Sequence, residues 1–287
     1  MKNYLLAFAT LLFVSCNLVA KEQVYERSIS LSEPDKLADI EVMLMNGSIS
    51  IEGYKGNSIE ILARVKSLDK VSEGDERKRL KTKSNKTSQV KKDDPRKGLT
   101  KVANTGMQLE IEKRGNSVSI GTMNRNQYVE LTLKVPFKSD LELQLHRGGD
   151  INVNNVQGSL DIQNLRGGIK ATGIIGPIVA ESVRKDVVVV FKSFNAEKPS
   201  SLNAHGGNVD ISIPKKSKVR IEIKSYQGEI YSGIDSKFES IDNVEEGDAN
   251  SDRHSTIVGG AMAASLNGGT QKLMINTFKG DVFVRSH

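Results

Sequence analysis

The sequence predicts an all-β fold, a β-solenoid or β-helix-like roll of repeated strands. Three observations carry this prediction. From Ala38 onward apolar residues alternate with polar ones, as in strands that have one buried face. The 25 glycines and the absence of tryptophan suit many tight corners better than a core of large aromatic rings. After Pro136, strand–corner–strand units recur about every twenty residues, which is typical of stacked coils.

Residues 1–20 predict a secretory signal peptide, with an early lysine, an apolar run from Leu5 to Val14 and small residues after it. The run is too short for a comfortable membrane span. We therefore expect an exported chain in which residues 21–287 form a single β-repeat domain.

The only cysteine, Cys16, ends the stretch FVSC, which loosely resembles a bacterial lipobox. In that interpretation the chain is a lipoprotein, anchored to the membrane through a lipid on Cys16. In the other interpretation, cleavage after Ala20 removes the cysteine. The sequence leaves both interpretations open. In either of them the chain keeps no free thiol that could form a disulfide.

The first strands are predicted within residues 38–67, with turns at Asn46-Gly47 and Gly56-Asn57. A basic insert over 66–101 then interrupts the alternation. Asp94 before Pro95 predicts a short helix over about 95–103, and the rest of the segment near 70–103 is expected to be helical or disordered.

The insert also explains the charge of the chain. It carries 13 Lys/Arg against 6 Asp/Glu, while the whole chain has a net charge of +6, so the remaining residues are nearly neutral. The insert either forms a solvated loop with no partner or makes an electrostatic contact with an anionic envelope surface. Nucleic acid is not expected, because the chain is predicted to be exported and the insert lacks interleaved aromatic residues. The residues that would make the contact are Arg77, Lys78, Arg79, Lys81, Lys83, Lys91 and Lys92.

Alternation resumes after the insert, and beyond Pro136 each unit has an apolar residue just after its turn. One unit cannot bury its apolar row alone, so neighbouring units are expected to stack. Residues 233–269 lose the repeat and are predicted to be an acidic loop. The repeat returns once in KLMINTFKGDVFVRSH, and the N-terminal strands and this terminal segment are expected to cap the stack. The anchors of the repeat are Ile151, Ile169, Val187, Val209 and Ile230.

The order of these blocks resembles one family. The start SISLSEPDKLADIEVMLMNGSISIEGYKGNSIEILARV, the entry VPFKSDLELQL, the tandem GGDINVNNVQGSLDIQNLRGGI, the segment GEIYSGI and the terminal INTFKGDVFVR are similar to the DUF4097 family of bacterial envelope proteins, which carry an adhesin label. The resemblance implies a β-solenoid, secretion or surface exposure, and no established catalytic residues. The Lys-rich insert and Cys16 depart from the family pattern.

The candidate sites for chemistry are few. A calcium ladder needs a carboxylate at the same place in every coil, but the residue before each anchor varies from aspartate to glycine, asparagine and glutamate. His146 and His205 occupy similar places in their units, yet three coils would hold them about 15 Å apart, too far to share a metal. The aspartates that a polysaccharide-cleaving β-helix would use have offsets that need not align; they are Asp150, Asp161, Asp186 and Asp210.

We therefore expect no catalytic residue, no cofactor and no metal. The leading hypothesis is a non-enzymatic exported envelope protein that presents a repetitive surface, adhesin-like or structural, to a protein or glycan. The alternatives are a periplasmic regulatory partner of a membrane protein and, third, an enzyme acting on polysaccharide. Strand rows expected to offer amide and cationic groups to a partner include Asn152, Asn154, Gln163, Asn164 and Lys170.

Overall fold

The computed structural model of the protein describes residues 23–67, 108–194, 198–245 and 257–287. Within these residues the secondary structure is β-strand, arranged in one sheet of ten strands and one of eleven. The all-β prediction is confirmed. None of the described residues forms a helix that is long and apolar enough to cross a membrane.

In chain order the strands are β1 (Gln23–Ser30), β2 (Ala38–Leu44), β3 (Gly47–Tyr54), β4 (Ser58–Ser67), β5 (Glu110–Arg114), β6 (Ser117–Thr122), β7 (Gln127–Pro136), β8 (Ser139–Leu145), β9 (Gly148–Asn154), β10 (Leu160–Asn164), β11 (Ile169–Ile175), β12 (Ile178–Ser182), β13 (Val187–Ser193), β14 (Ser200–Ala204), β15 (Val209–Ile213), β16 (Val219–Ser225), β17 (Ile230–Ser232), β18 (Glu239–Glu245), β19 (Ile257–Leu266), β20 (Lys272–Thr277) and β21 (Val282–Ser286).

The two sheets are layers of a solenoid. Each coil gives one strand to the eleven-stranded sheet and the next to the ten-stranded sheet, and neighbouring coils pair in parallel. The inward side chains of both layers form one apolar core, in which Phe191 is the largest side chain that is fully buried. The described part of the chain has eight coils, which in spatial order are β6–β7, β2–β3, β8–β9, β10–β11, β12–β13, β14–β15, β20–β21 and β16–β17.

The predicted anchors form one ladder in the ten-stranded sheet. Ile151, Ile169, Val187 and Val209 are register partners on successive strands, as their sequence spacing indicated. The next partner of Val209, however, is Val282, and Ile230 follows only after it. The predicted order is therefore wrong at its last step, because the terminal coil lies between two coils that are consecutive in the chain.

The terminal segment is for the same reason not a cap. Strand β20 pairs in parallel with β14 on one side and β16 on the other, while β21 lies between β15 and β17. Both backbone edges of these strands are thus hydrogen-bonded, and Val282 and Val284 are buried. The first coil, β2–β3, is inserted in the same way between β6–β7 and β8–β9.

Antiparallel strands close the stack. Strands β4 and β1 follow β7 in one sheet, β5 follows β6 in the other, and β19 and β18 follow β16 at the far end. The prediction of a loop over 233–269 is wrong where β18 and β19 lie. Ala264 and Leu266 of β19 are buried in the core there, where β19 pairs with β16.

Candidate functional site

One corner of the solenoid presents a continuous row of exposed or half-exposed side chains. It is the corner at which each coil leaves the eleven-stranded sheet, and we call the first residue of these corners the ridge. Seven backbone hydrogen bonds of 2.9–3.3 Å join the N–H of every ridge residue after the first to the last strand residue of the preceding coil, so the row is in register throughout. In spatial order the ridge is Met123, Met45, His146, Leu165, Val183, His205, Phe278 and Tyr226.

The ridge is mostly apolar although it faces solvent. Leu165 is 43% exposed, Tyr226 57% and Met123 70%. At about 4.8 Å per strand, seven steps give the row a length of about 34 Å. Isolated exposed apolar residues need no explanation, but a contiguous row of this kind is typical of an interaction surface.

Three aromatic rings lie side by side at one end of the ridge. The rings of His205 and Phe278 are parallel, with 4.9 Å between their centroids and 3° between their planes. The Tyr226 ring lies beside Phe278 at 5.7 Å and 43°. These rings come from three adjacent coils, and they meet only because β20 lies between β14 and β16.

A row of cations follows the ridge, because the next residue of four corners is basic. These cations are Arg147, Arg166, Arg184 and Lys279, all exposed. Among the described residues, none of these four side chains has an ion-pair or hydrogen-bond partner, whereas the neighbouring Lys185 pairs with Asp150 at 3.2 Å.

Buried polar side chains fix the backbone under the ridge. Asn164, which the sequence suggested as a surface group, is only 1% exposed. It ends a strand on the inward side, where its amide donates to the carbonyls of Gly149 and Gly168 and accepts the N–H of Gly167 at 2.8 Å. Ser182, fully buried one coil further on, donates its hydroxyl to the carbonyl of Lys185 at 2.7 Å. These bonds fix the backbone of two of the corners that carry the ridge.

The acidic residues at the corner have a structural use as well. Asp150 accepts the N–H of Gly168 at 2.8 Å, and Asp186 accepts that of Asn208 at the same distance. Asp281 does the same for Glu229 at 2.9 Å. These side chains thus tie each coil to its neighbour. Among the described residues no group of three or more His, Cys, Asp or Glu is arranged to hold a metal ion.

The four aspartates considered for catalysis do not come together. Asp150 and Asp186 lie at the corner, while Asp161 is on the outer face of the eleven-stranded sheet. Asp210 is on the outer face of the ten-stranded sheet, where both its oxygens accept from Arg285 at 2.8–3.2 Å. His146 and His205 do share one surface, the ridge, but they are three strand steps apart, as the repeat indicated.

The outer faces of the two sheets differ from the ridge. Carboxylates of Glu41, Glu142 and Asp161 are register partners on adjacent strands of the eleven-stranded sheet. A groove of about 650 Å³ near them is lined by Glu110, Met123 and others.

The outer face of the ten-stranded sheet carries the amide row of Asn152 and Asn154 beside Lys170. It also carries a stacked Tyr231–Phe283 pair with ring centroids 5.2 Å apart. Gln163 lies on the opposite sheet, so the expected amide row is divided between two faces.

Sequence reasoning missed the ridge, although its signal is present. When the corners are aligned on the residue that directly follows each strand, they are HRGG, LRGG, VRKD, HGGN, FKGD and YQGE. The first column is the ridge, and the second column contains the cationic row.

Cys16 and the seven basic residues from Arg77 to Lys92 lie outside the described residues, so lipidation and the electrostatic contact of the insert stay predictions.

No protein-family model matches the chain, and no curated protein matches it. The resemblance to the DUF4097 family therefore stays a prediction. Two crystal structures are similar to the chain. One is a candidate cell adhesion protein from Clostridium sporogenes, with 9% identity and a TM-score of 0.40 over 93% of this chain and 100% of that one. The other is a candidate adhesin from Bacteroides fragilis, with 9% identity and a TM-score of 0.29 over 93% and 99%.

Proposed function

We propose that the chain is a non-enzymatic, exported protein of the bacterial envelope that binds another macromolecule along the ridge, in the manner of an adhesin. The observation that carries this proposal is the ridge itself, a row of exposed apolar and aromatic side chains beside cations without partners in the described residues. Tyrosine, arginine and other large side chains on a rigid surface are the groups that dominate binding energy at interfaces.

Two further features support a binding role. The corner is pre-organised by buried hydrogen bonds, so little conformational entropy is lost when a partner binds. Catalysis would require convergent polar groups, and the aspartates suggested by the sequence lie on different surfaces.

The proposal is tested by retention of the chain on envelope fragments of its own bacterium. The ridge variant combines Leu165→Ser, Phe278→Ser and Tyr226→Ser. The control replaces three equally exposed apolar residues elsewhere, in Val24→Ser, Leu37→Ser and Tyr231→Ser. With both variants shown to be folded by circular dichroism, we expect retention to fall at least about tenfold for the ridge variant only, since each such side chain contributes about 1 kcal/mol or more. Equal retention of the two variants would refute the proposal.

A further inference from the structure

We infer that the partner of the ridge is an acidic polysaccharide whose chain lies along the solenoid axis. This inference rests on the proposed function, because it names the chemistry of the partner of that same surface. Three features of the ridge lead to it: its unpaired cations, its aromatic end and its narrow, straight shape.

The cations indicate an anionic partner. Arg147, Arg166 and Arg184 stand on consecutive coils, so about 4.8 Å separates neighbouring backbones. Like charges on adjacent strands repel each other. Among the described residues, none of the three arginines forms an ion pair with a carboxylate. A partner with regularly spaced carboxylates or sulfates would do so, and guanidinium groups bind both through paired hydrogen bonds.

The aromatic end indicates a partner with apolar faces as well as charges. Tyr226 is 57% exposed and Phe278 37%. Pyranose rings have a C–H face that packs on the electron-rich face of an aromatic ring, while their substituents bear the charge. Because His205 covers one face of Phe278, the ring that would take a pyranose is the more exposed Tyr226. A charged sugar polymer therefore matches both parts of the ridge, the rings at one end and the guanidinium groups in the middle.

The surroundings of the ridge favour a narrow chain over a flat bilayer. On one side lies the acidic row of Glu41, Glu142 and Asp161 on the eleven-stranded sheet. On the other lie the corner carboxylates, including Asp150 and Asp186, which are exposed. An anionic bilayer would bring its headgroups against these carboxylates, whereas a single polymer chain can follow the cations between them.

The test measures binding of the full mature chain to polygalacturonate and to chondroitin sulfate, with neutral dextran as the uncharged control. The cationic variant changes the row beside the ridge, in Arg147→Gln with Arg166→Gln and Arg184→Gln. The matched control removes three exposed lysines elsewhere, in Lys170→Gln, Lys192→Gln and Lys216→Gln. We expect binding to at least one acidic polysaccharide, a loss of at least about tenfold in the cationic variant and less than about twofold in the control. Tighter binding to chondroitin sulfate would show that its sulfates add to the binding, and tighter binding to polygalacturonate would show that carboxylates are sufficient.

Other outcomes overturn the inference. If neither acidic polysaccharide binds, or if dextran binds equally well, the polymer class is wrong. If vesicles of phosphatidylglycerol or single-stranded DNA bind more tightly, and the cationic variant abolishes that binding, the partner is a membrane or a nucleic acid instead. If retention on envelope fragments still depends on the ridge, the proposed function is supported and only the inference of an acidic polysaccharide is refuted. If retention does not depend on the ridge, both are refuted.

Discussion

The ring of Phe278 stacks on the ring of His205, with planes 3° apart, although Phe278 belongs to the last coil of the chain and His205 to a coil far before it. The contact exists because β20 is inserted between β14 and β16. Without this insertion, the rings of His205 and Phe278 would not be neighbours and the aromatic end of the ridge would lack Phe278. The order of the coils thus positions the candidate site.

Cysteine pairs test the order of the coils. In a Cys16→Ser background, Asn203→Cys with Asn276→Cys should form an internal disulfide on mild oxidation, because these positions are register partners on adjacent strands. Asn203→Cys with Lys224→Cys should not, because Asn276 lies between them and separates the backbones by about 10 Å. Mass spectrometry of the oxidised proteins distinguishes the two. Cross-linking of the second pair alone would mean that the coils follow chain order.

Much of this architecture could be predicted from the sequence, because its signals are local. Alternation identified the strands, and the anchors from Ile151 to Val209 were predicted in their true order. The place of Val282 could not be predicted, because a repeat period indicates what a coil contains but not which coils are neighbours. A coil can join a parallel stack wherever its apolar residues match those of its neighbours. Tertiary packing therefore decides which coils become neighbours.

The candidate site was less predictable for a related reason. Asn164 was taken as a surface group from its polarity, but it occupies the inward phase of a strand and its buried amide is fully used by corner backbone. The ridge residues differ in type, from methionine to tyrosine, so no motif marks them. Only their shared position directly after a strand does, and this position forms a surface only once the coils are stacked in space.

Glycine is required where neighbouring corners touch. A Cβ on Gly167 would lie 1.8 Å from the carbonyl oxygen of Gly149 in the preceding coil. We therefore expect Gly167→Ala to destabilise the fold by about 2 kcal/mol or more, because the backbone of a packed coil must move. Gly233→Ala is the control, since the nearest atom to its Cβ is the Val284 oxygen at 3.6 Å. Urea midpoints compare them, and equal midpoints would show that corner contact does not restrict position 167.

An ion pair on the eleven-stranded sheet predicts a pH dependence. The guanidinium of Arg220, hydrogen-bonded at 2.8 Å, holds the pKa of the Glu222 carboxyl below its ordinary value; partial burial opposes this, and Lys272 at 3.7 Å adds to it. Since the folded-state pKa is the lower one, the pair stabilises the fold above about pH 4.3 and this stabilisation is lost as the pH falls through the folded-state pKa.

The corresponding variant is Glu222→Gln. It should lower the free energy of unfolding by about 1 kcal/mol at neutral pH, and this effect should disappear as the pH falls through the folded-state pKa, because the wild-type carboxyl is then protonated as well. Glu112→Gln, which breaks the exposed pair with Arg114, serves as the control and should cost less than about 0.5 kcal/mol. A Glu222→Gln effect that persists unchanged in acid would show that packing, and not charge, is responsible.

The basic insert gives a prediction that is independent of the ridge. Replacing Arg77, Lys78, Arg79, Lys81, Lys83, Lys91 and Lys92 by glutamine should weaken retention on anionic vesicles at least about tenfold at low salt, since each cation near such a surface contributes about 1 kcal/mol. The difference should disappear at high salt and on neutral vesicles. Unchanged retention at low salt would exclude the insert from membrane contact.

Hydroxyl-radical footprinting of the chain bound to envelope fragments tests the central claim, binding along the ridge, most directly. The measurement compares oxidation of the ridge rings, Tyr226 and Phe278, with that of the Tyr231–Phe283 pair on the ten-stranded sheet. The ridge account predicts that binding protects Tyr226 and Phe278 and leaves Tyr231 and Phe283 as reactive as in the free protein. Protection of Tyr231 and Phe283 with Tyr226 unchanged would contradict it.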